Sequence, residues 1–316
     1  MTLILEQTEK EMRQVYAETV YELAQQDPKV IVMEADLSSA MSTGLLKDTL
    51  PGQYINVGIM EANMMSMAAG LNVTGRKPFL HSFGQFLTRR AFDQLFVSLG
   101  YSQLSAVLVG SDAGVTAEHN GGTHMTFEDM GLMRSVPKAS VYEASDPTLL
   151  KYLLKKGYEE GGLHYIRTIR KATAKLYDED TNFEKAQVLR EGNDVTIVAS
   201  GIMVAEALQA AETLRKEGIE ATVIDMFYIK PLDGETLLKA AKKTGKVVTA
   251  ENHNVNNGLG SAVCEYLAEN YPVPVRRIGV KEQFGQVGLT PYLQEVYELT
   301  ASDIVKASKE LIESIS

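Results

Sequence analysis

The sequence predicts an α/β protein built from two doubly wound domains, and three observations carry that prediction. Short apolar runs alternate with segments of helical period along nearly the whole chain. The alternation breaks once, in a polar stretch at residues 171–192. A chain of 316 residues with 45% hydrophobic side chains is also long enough for two cores. The expected division is a first unit at residues 1–170, a linker at 171–192 and a smaller unit at 193–316.

Met12, Val15, Tyr16, Thr19, Val20 and Leu23 recur at helical spacing, and Asp27-Pro28 ends that helix. Val30-Ile31-Val32-Met33 reads as a strand, with Asp36 just past its C-terminal end. A strand at 54–57 passes through Gly58 into a helix from Met60 whose faces are nearly all apolar, the pattern of a buried helix. Strands at 79–83 and 106–109 flank a helix at 91–99. A glycine-containing loop follows at 112–124, then a helix near 125–134 that Thr123 or Thr126 would cap. A strand at 139–143, a helix opened by Asp146-Pro147 and a strand at 164–169 complete the first unit. In the second, strands at 195–200, 221–226, 247–251 and 273–278 alternate with helices at 204–216, 235–243 and 259–269, before a last helix from Ser302. Ligands of parallel sheets gather outside the C-terminal strand ends, where Asp36, residues 58–61, Phe83, Asp112 and Arg170 all fall.

Composition narrows the partners. Thirty-one basic against 41 acidic residues give a net charge of −10, and no Lys/Arg run is interleaved with aromatics, which argues against nucleic acid or an anionic membrane. An anionic ligand must therefore be met locally. Cys264 is the one cysteine, so no internal disulfide is expected, and no metal-ligand spacing occurs. With a charged N-terminus and no apolar run of spanning length, the expectation is a cytoplasmic protein without a metal site of its own.

Glu61 is the only ionisable side chain between Gly58 and Asn72. A carboxylate in the first turn of a buried helix either complements the helix dipole or is held dry to exchange a proton with a bound partner. The loop from Gly114 to His124 combines glycines, which allow close backbone approach, with two histidines suited to proton transfer; a solvated surface loop has the same composition. Phe83 and Phe86 flank a glycine at a strand end, where a flat heterocycle can stack, whereas Phe92 reads as core. Arg167, Arg170 and Lys171 either clamp a phosphate or sulfonate or are solvated at an edge. Asn256-Asn257-Gly258-Leu259-Gly260-Ser261 opens a helix after a strand but lacks the full dinucleotide-binding spacing.

As a set, these stretches resemble the C-terminal half of transketolase: Gly58-Ile59-Met60-Glu61-Ala62-Asn63-Met64, residues 83–94, residues 112–124, Glu128-Asp129-Met130-Gly131-Leu132-Met133-Arg134-Ser135-Val136-Pro137, and Asp225-Met226-Phe227-Tyr228-Ile229-Lys230-Pro231-Leu232. The resemblance covers nearly the whole chain in order. It implies a pyrimidine-binding domain followed by the family's C-terminal domain, with the diphosphate-binding domain missing. That is the C-terminal subunit of a split transketolase, which moves a two-carbon ketol unit from a ketose to an aldose using thiamine diphosphate. Mg²⁺ and the diphosphate would be held mainly by an N-terminal partner subunit. A homodimer of the chain alone and a heterotetramer with the partner are the implied assemblies.

Carried over residue by residue, the resemblance gives Glu61 the hydrogen bond to the thiamine aminopyrimidine ring nitrogen. Phe83 and Phe86 stack on that ring, and Asp36 lies beside the cofactor. His124 contacts a substrate hydroxyl, and Arg13 and Arg170 hold the substrate's phosphate tail. Three positions depart from the family pattern. Asp112 replaces a histidine near the phosphate, Asn120 replaces an aspartate that contacts an acceptor hydroxyl, and Ala40 falls near a phosphate-contacting serine, with Ser38 and Ser39 adjacent. The substrate is therefore expected to be an unusual sugar phosphate or another anionic sugar. Two other readings share these features: the beta subunit of a 2-oxo-acid dehydrogenase, and a non-catalytic subunit that keeps the fold.

Overall fold

The computed structural model describes residues 5–314. Twelve strands form two sheets among the described residues. In chain order they are β1 (Val30–Glu34), β2 (Tyr54–Asn56), β3 (Lys77–Phe83), β4 (Ala106–Ser111), β5 (Ser140–Glu143), β6 (Leu163–Arg167), β7 (Gln187–Arg190), β8 (Val195–Ala199), β9 (Ala221–Asp225), β10 (Tyr228–Lys230), β11 (Val247–Asn254) and β12 (Val275–Val280). The larger sheet runs β2-β1-β3-β4-β6-β5-β10 and the smaller β12-β11-β8-β9-β7. Every pairing is parallel except at two edges, where β10 meets β5 and β7 meets β9 antiparallel.

The period-2 alternation of strand side chains explains why β1, buried on both faces, is apolar from Val30 to Met33 before it ends at the buried Glu34. Ile31 and Met33 pack with Met64, Met65 and Ala68 of the helix Glu61–Val73. Val30 and Val32 pack with Met12, Tyr16 and Val20 of the helix Met12–Gln26. The sheet is thus covered on both faces, but the helix after Gly58, expected to be buried, packs only its Met64, Met65, Ala68 and Ala69 face on the core and leaves Met67 and Val73 exposed.

Three sequence expectations are corrected. The helix expected at 125–134 is Asp129–Arg134, with neither Thr123 nor Thr126 as cap, because residue 126 is drawn into an extended bridge with Ala113. The strand expected at 164–169 ends at Arg167, whose side chain is captured by a buried polar cluster. The helix expected at 91–99 is a short turn, Phe92–Gln94, continued as a π-helix over Leu95–Tyr101. Phe92 does pack against the core, as expected.

The two sheets are tied together. β10 comes from beyond β9 of the smaller sheet and closes the edge of the larger one. At the junction Arg167, fully buried, donates Nε to Asp129 (2.9 Å), Nη1 to Glu143, and Nη2 to the carbonyls of Asn252 (2.7 Å) and Thr126 (3.2 Å). Asn252 sits on β11 and pins the loop after β4: its Nδ2 donates to Ala113 O (2.9 Å) and its Oδ1 accepts from Val115 N (3.0 Å). Gly114 has to be glycine there, since its φ is +53° and a Cβ would lie 2.2 Å from Asn252 Oδ1. The second domain thereby positions the loop that carries the candidate substrate residues.

Candidate functional site

The turn Asn56 to Glu61 is built by one side chain. Asn56 Oδ1 accepts from the backbone N–H of Gly58 (3.0 Å) and of Asp36 (3.1 Å), joining the ends of β1 and β2. Gly58 takes φ +72°, and the chain enters the helix Glu61–Val73 with Glu61 as its first residue and 1% exposed. Asp36 itself is exposed and also has positive φ, at 62°.

Both Glu61 oxygens lie 2.9 Å from Arg90 Nη1. The Arg90 guanidinium in turn lies 3.6 Å above the centre of the Phe86 ring. Phe83, at the end of β3, and Phe86 are near-parallel, with centroids 5.9 Å apart and planes at 21°. His124 stands edge-on to both rings, 6.0 Å from Phe83 and 5.3 Å from Phe86. Glu61, Phe83, Phe86 and His124 thus form one constellation. Arg90 completes it and was not among the candidates, because nothing in the local sequence separates it from Arg89. Arg89 does face outward, to Glu128 (2.8 Å), while Arg90 turns in.

Gln85, between the two phenylalanines, is fully buried, and neither polar atom of its side-chain amide has a hydrogen-bond partner. A buried amide left unsatisfied costs free energy unless a ligand or water completes it. A flat, nitrogen-bearing heterocycle fits this arrangement. It has aromatic faces to stack on and a carboxylate for a ring nitrogen. Among the described residues no group of three or more His, Cys, Asp or Glu is arranged to hold a metal ion.

The second group of candidates converges from the other side. Arg13 N donates to Arg170 O (3.1 Å), so the start of the first helix and the exit of β6 place both cations together. They line a cavity of about 730 Å³ shared by the two domains, together with His119, Asn120 and Lys171. Arg170 also lies over the Phe83 ring at 5.5 Å, linking this cavity to the aromatic pair.

Asp112 does not face the cavity as a loose carboxylate. It is 1% exposed, with φ 58°, and its Oδ1 lies 2.6 Å from Arg170 Nη2, a close ion pair off the axis of a good hydrogen bond. Its Oδ2 accepts from Ser111 Oγ (3.0 Å), Ser111 Oγ faces His81 Nε2 (3.0 Å), and His81 Nδ1 faces Glu34 Oε2 (2.7 Å). Thr43 Oγ1 donates to the other Glu34 oxygen (2.6 Å). Since the Ser111 proton goes to Asp112, His81 Nε2 must donate to Ser111, which leaves one proton between Nδ1 and Glu34. Burial pushes the Asp112 carboxyl above its usual range, opposed by Arg170 and Ser111.

Asn120 and His119 are exposed at the end of a 3₁₀ stretch, Gly114–Asn120, while Val115 and Ala117 of the same stretch are core residues of the second domain. The loop is therefore anchored rather than free. Glu118 within it has φ 48° and ψ −113°, a strained geometry held by Lys171 Nζ (2.7 Å) and Thr290 Oγ1 (2.6 Å). Ala40 is buried, Ser39 is exposed, and the Ser38 hydroxyl is engaged by Tyr54 Oη. The Gly258 helix start carries its own anion, because Glu251 accepts from Leu259 N (2.7 Å) and Gly260 N (2.8 Å). That fills the position a nucleotide phosphate would need.

Comparison with known proteins finds one family along nearly the whole chain. Residues 8–175 match the family described as "transketolase, pyrimidine binding domain" and residues 184–304 match "transketolase, C-terminal domain". A 6-deoxy-6-sulfo-D-fructose transketolase subunit from Clostridium sp. (strain MSTE9) is 48% identical over 304 residues, 96% of this chain and 94% of that one. One of the subunits of an apulose-4-phosphate transketolase from Phocaeicola vulgatus is 34% identical over 304 residues, 95% and 97% of the two chains. Among solved structures, a chain described as a split gene transketolase, inactive beta4 tetramer, superposes with a TM-score of 0.88 at 41% identity, covering 96% of this chain and 98% of that one.

Proposed function

The chain belongs to the transketolase family, as the C-terminal subunit of a split transketolase-type transferase that acts with a partner subunit, and from that premise we propose how its residues divide the work. The observation that carries the reading is the dry carboxylate of Glu61, linked through Arg90 to a stacked aromatic pair.

Thiamine diphosphate, when bound, supplies the electron sink for the two-carbon unit. Glu61 holds a hydrogen bond to the cofactor's ring nitrogen, in place of one of its contacts to Arg90, and Phe83 and Phe86 hold the ring flat. Asp36 borders the cofactor from the same turn. His124, packed edge-on to both rings, is positioned to bond a substrate hydroxyl and pass a proton there. Arg13 and Arg170 bind the anionic tail of the ketose, Asp112 fixes Arg170, and Asn120 meets an acceptor hydroxyl. Mg²⁺ and the diphosphate are assigned mainly to the N-terminal partner. A heterotetramer with two copies of each subunit follows, with a homodimer as the smallest assembly of this chain alone. A cytoplasmic setting fits one cysteine in 316 residues, and no helix of the described residues is long and apolar enough to cross a membrane.

The test is ketol transfer by this chain mixed with its N-terminal partner, thiamine diphosphate and Mg²⁺. Transfer that needs both subunits and Glu61 is expected. Activity from this chain alone, or full activity with Glu61→Ala, overturns the proposal.

A further inference from the structure

We propose that the buried carboxylate of Asp112 makes the tail pocket selective for a ketose ending in a monoanion, a sulfonate, over one ending in a dianionic phosphate. This rests on the ketol-transfer reading and deepens it by naming the tail.

The inference comes from how the cavity's charges are matched. Each cation lining it already has a carboxylate. Arg170 has Asp112 at 2.6 Å, Lys171 has Glu118 at 2.7 Å, and Arg13 Nε has Glu11 at 2.5 Å. Glu206 lines the same cavity from the second domain and adds a fourth acid, tied to Ala301 N (2.7 Å) and Gln294 (3.3 Å). His119 is the remaining titratable group in the lining. The pocket therefore offers many N–H donors but no surplus positive charge.

Two of the three pairs sit at the mouth, where the more exposed Arg13 and Lys171 can part from their carboxylates when a ligand enters. Asp112 has no such freedom. It is enclosed, and the chain Ser111, His81, Glu34 and Thr43 holds it from behind with every member buried. The Arg170 charge is permanently offset, although most of its five donors stay available.

At the tail itself Arg13 and Arg170 both donate hydrogen bonds, and of the two only Arg13, once parted from Glu11, brings uncancelled charge. A sulfonate is a strong acid and carries a single charge at every pH the protein survives. A phosphate monoester has a second pKa near ~6 and is mostly dianionic at neutral pH. Its second charge finds no counter-ion, because the Asp112 carboxylate behind Arg170 already offsets that guanidinium, in a pocket where charges are poorly screened.

The experiment measures kcat/KM of the reconstituted two-subunit enzyme for 6-deoxy-6-sulfofructose, fructose 6-phosphate and erythrulose from pH 5.5 to 8.5. The sulfonate-to-phosphate ratio is expected to exceed about tenfold at pH 8, equivalent to about 1.4 kcal/mol. The ratio should narrow as pH falls through ~6 and the phosphate takes up its second proton. Ionisations of the protein remote from the tail act on both substrates alike and cancel in the ratio, whereas protonation of Asp112 itself narrows it in the same direction as protonation of the phosphate. Asp112→Asn, which keeps the shape and removes the charge, should narrow the ratio at pH 8 to the same degree. The wild-type pH series carries the test however well the variant folds. A ratio that is flat with pH, or a preference for phosphate at pH 8, overturns the charge argument. Ketol transfer from erythrulose, which has no anionic tail, then shows that the catalytic reading survives. No transfer from any of the three donors defeats both.

Discussion

Glu61→Gln separates the two roles open to a first-turn carboxylate, because they differ in what they do to stability and to turnover. On the structural side Glu61 contributes an ion pair to Arg90 and an interaction with the helix N-terminus. Arg90 is 44% exposed, so solvent screens the pair, and its loss costs on the order of 0.5–1 kcal/mol. The helix-dipole share is about 0.3–1 kcal/mol. Glutamine keeps the shape and one acceptor, so the total stability cost is expected at roughly 1–2 kcal/mol. On the catalytic side, removing a group that holds a proton at the reacting cofactor costs about 10²–10⁴-fold in rate, or roughly 3–5 kcal/mol. Stability is read from thermal unfolding of the reconstituted enzyme. Turnover is read as kcat for ketol transfer, with exchange of the bound cofactor's C2 proton followed by NMR. The expected result is a fall of at least a hundredfold in both rates, with the enzyme still folded at the assay temperature. Activity that drops only in proportion to the unfolded fraction would show that Glu61 is a helix residue and nothing more.

Arg167→Met should cost about 3–5 kcal/mol, because it strands the buried carboxylates of Asp129 and Glu143 and two carbonyls; a lowered Tm, by roughly 5–10 °C, checks it. Gly122→Ala puts a Cβ 2.0 Å from the carbonyl oxygen of Gly285, so the loop bearing His124 must shift; kcat/KM should fall tenfold or more while far-UV circular dichroism is unchanged. Asp225 is pushed up to about 7 by burial, against hydrogen bonds from Ser145 and from Tyr177 (2.6 Å). Its native state keeps a proton that the unfolded chain releases near ~4, so its stabilising contribution is full below that value and is lost as pH rises toward 7. Asp225→Asn stays neutral throughout, and its Tm should gain on the wild type between pH 5 and pH 8; a gap that shrinks over that interval contradicts the assignment.

What the sequence made legible was set by the range over which each interaction acts. The strand and helix alternation is local, since an element buried on both faces must be mostly apolar and one buried on a single face must show its period; β1 and most of the second unit follow directly, whereas the helix after Gly58 is apolar on faces that this chain leaves exposed. β10 escaped because three residues, Tyr228-Ile229-Lys230, have no period to read, and their strand exists only by pairing with β5, more than eighty residues earlier. The helix expected at 125–134 failed for a similar reason, because the bridge between Ala113 and Thr126 competes with local propensity. Within the site, Glu61, Phe83, Phe86 and His124 are legible by motif and are brought together. Arg90 is not, because nothing local distinguishes it from Arg89; only the fold decides which of the two meets a carboxylate 29 residues away. Asp112 shows the same limit in reverse. Its sequence position suggests a carboxylate repelling an anionic tail, yet the side chain is enclosed and paired to Arg170. On the proposed reading, the departure from the family pattern acts through the charge of a neighbour rather than by contact. Substrate choice in such a pocket is written in pairings that cross the sheet from β1 to β4, and no reading of one stretch at a time can recover them.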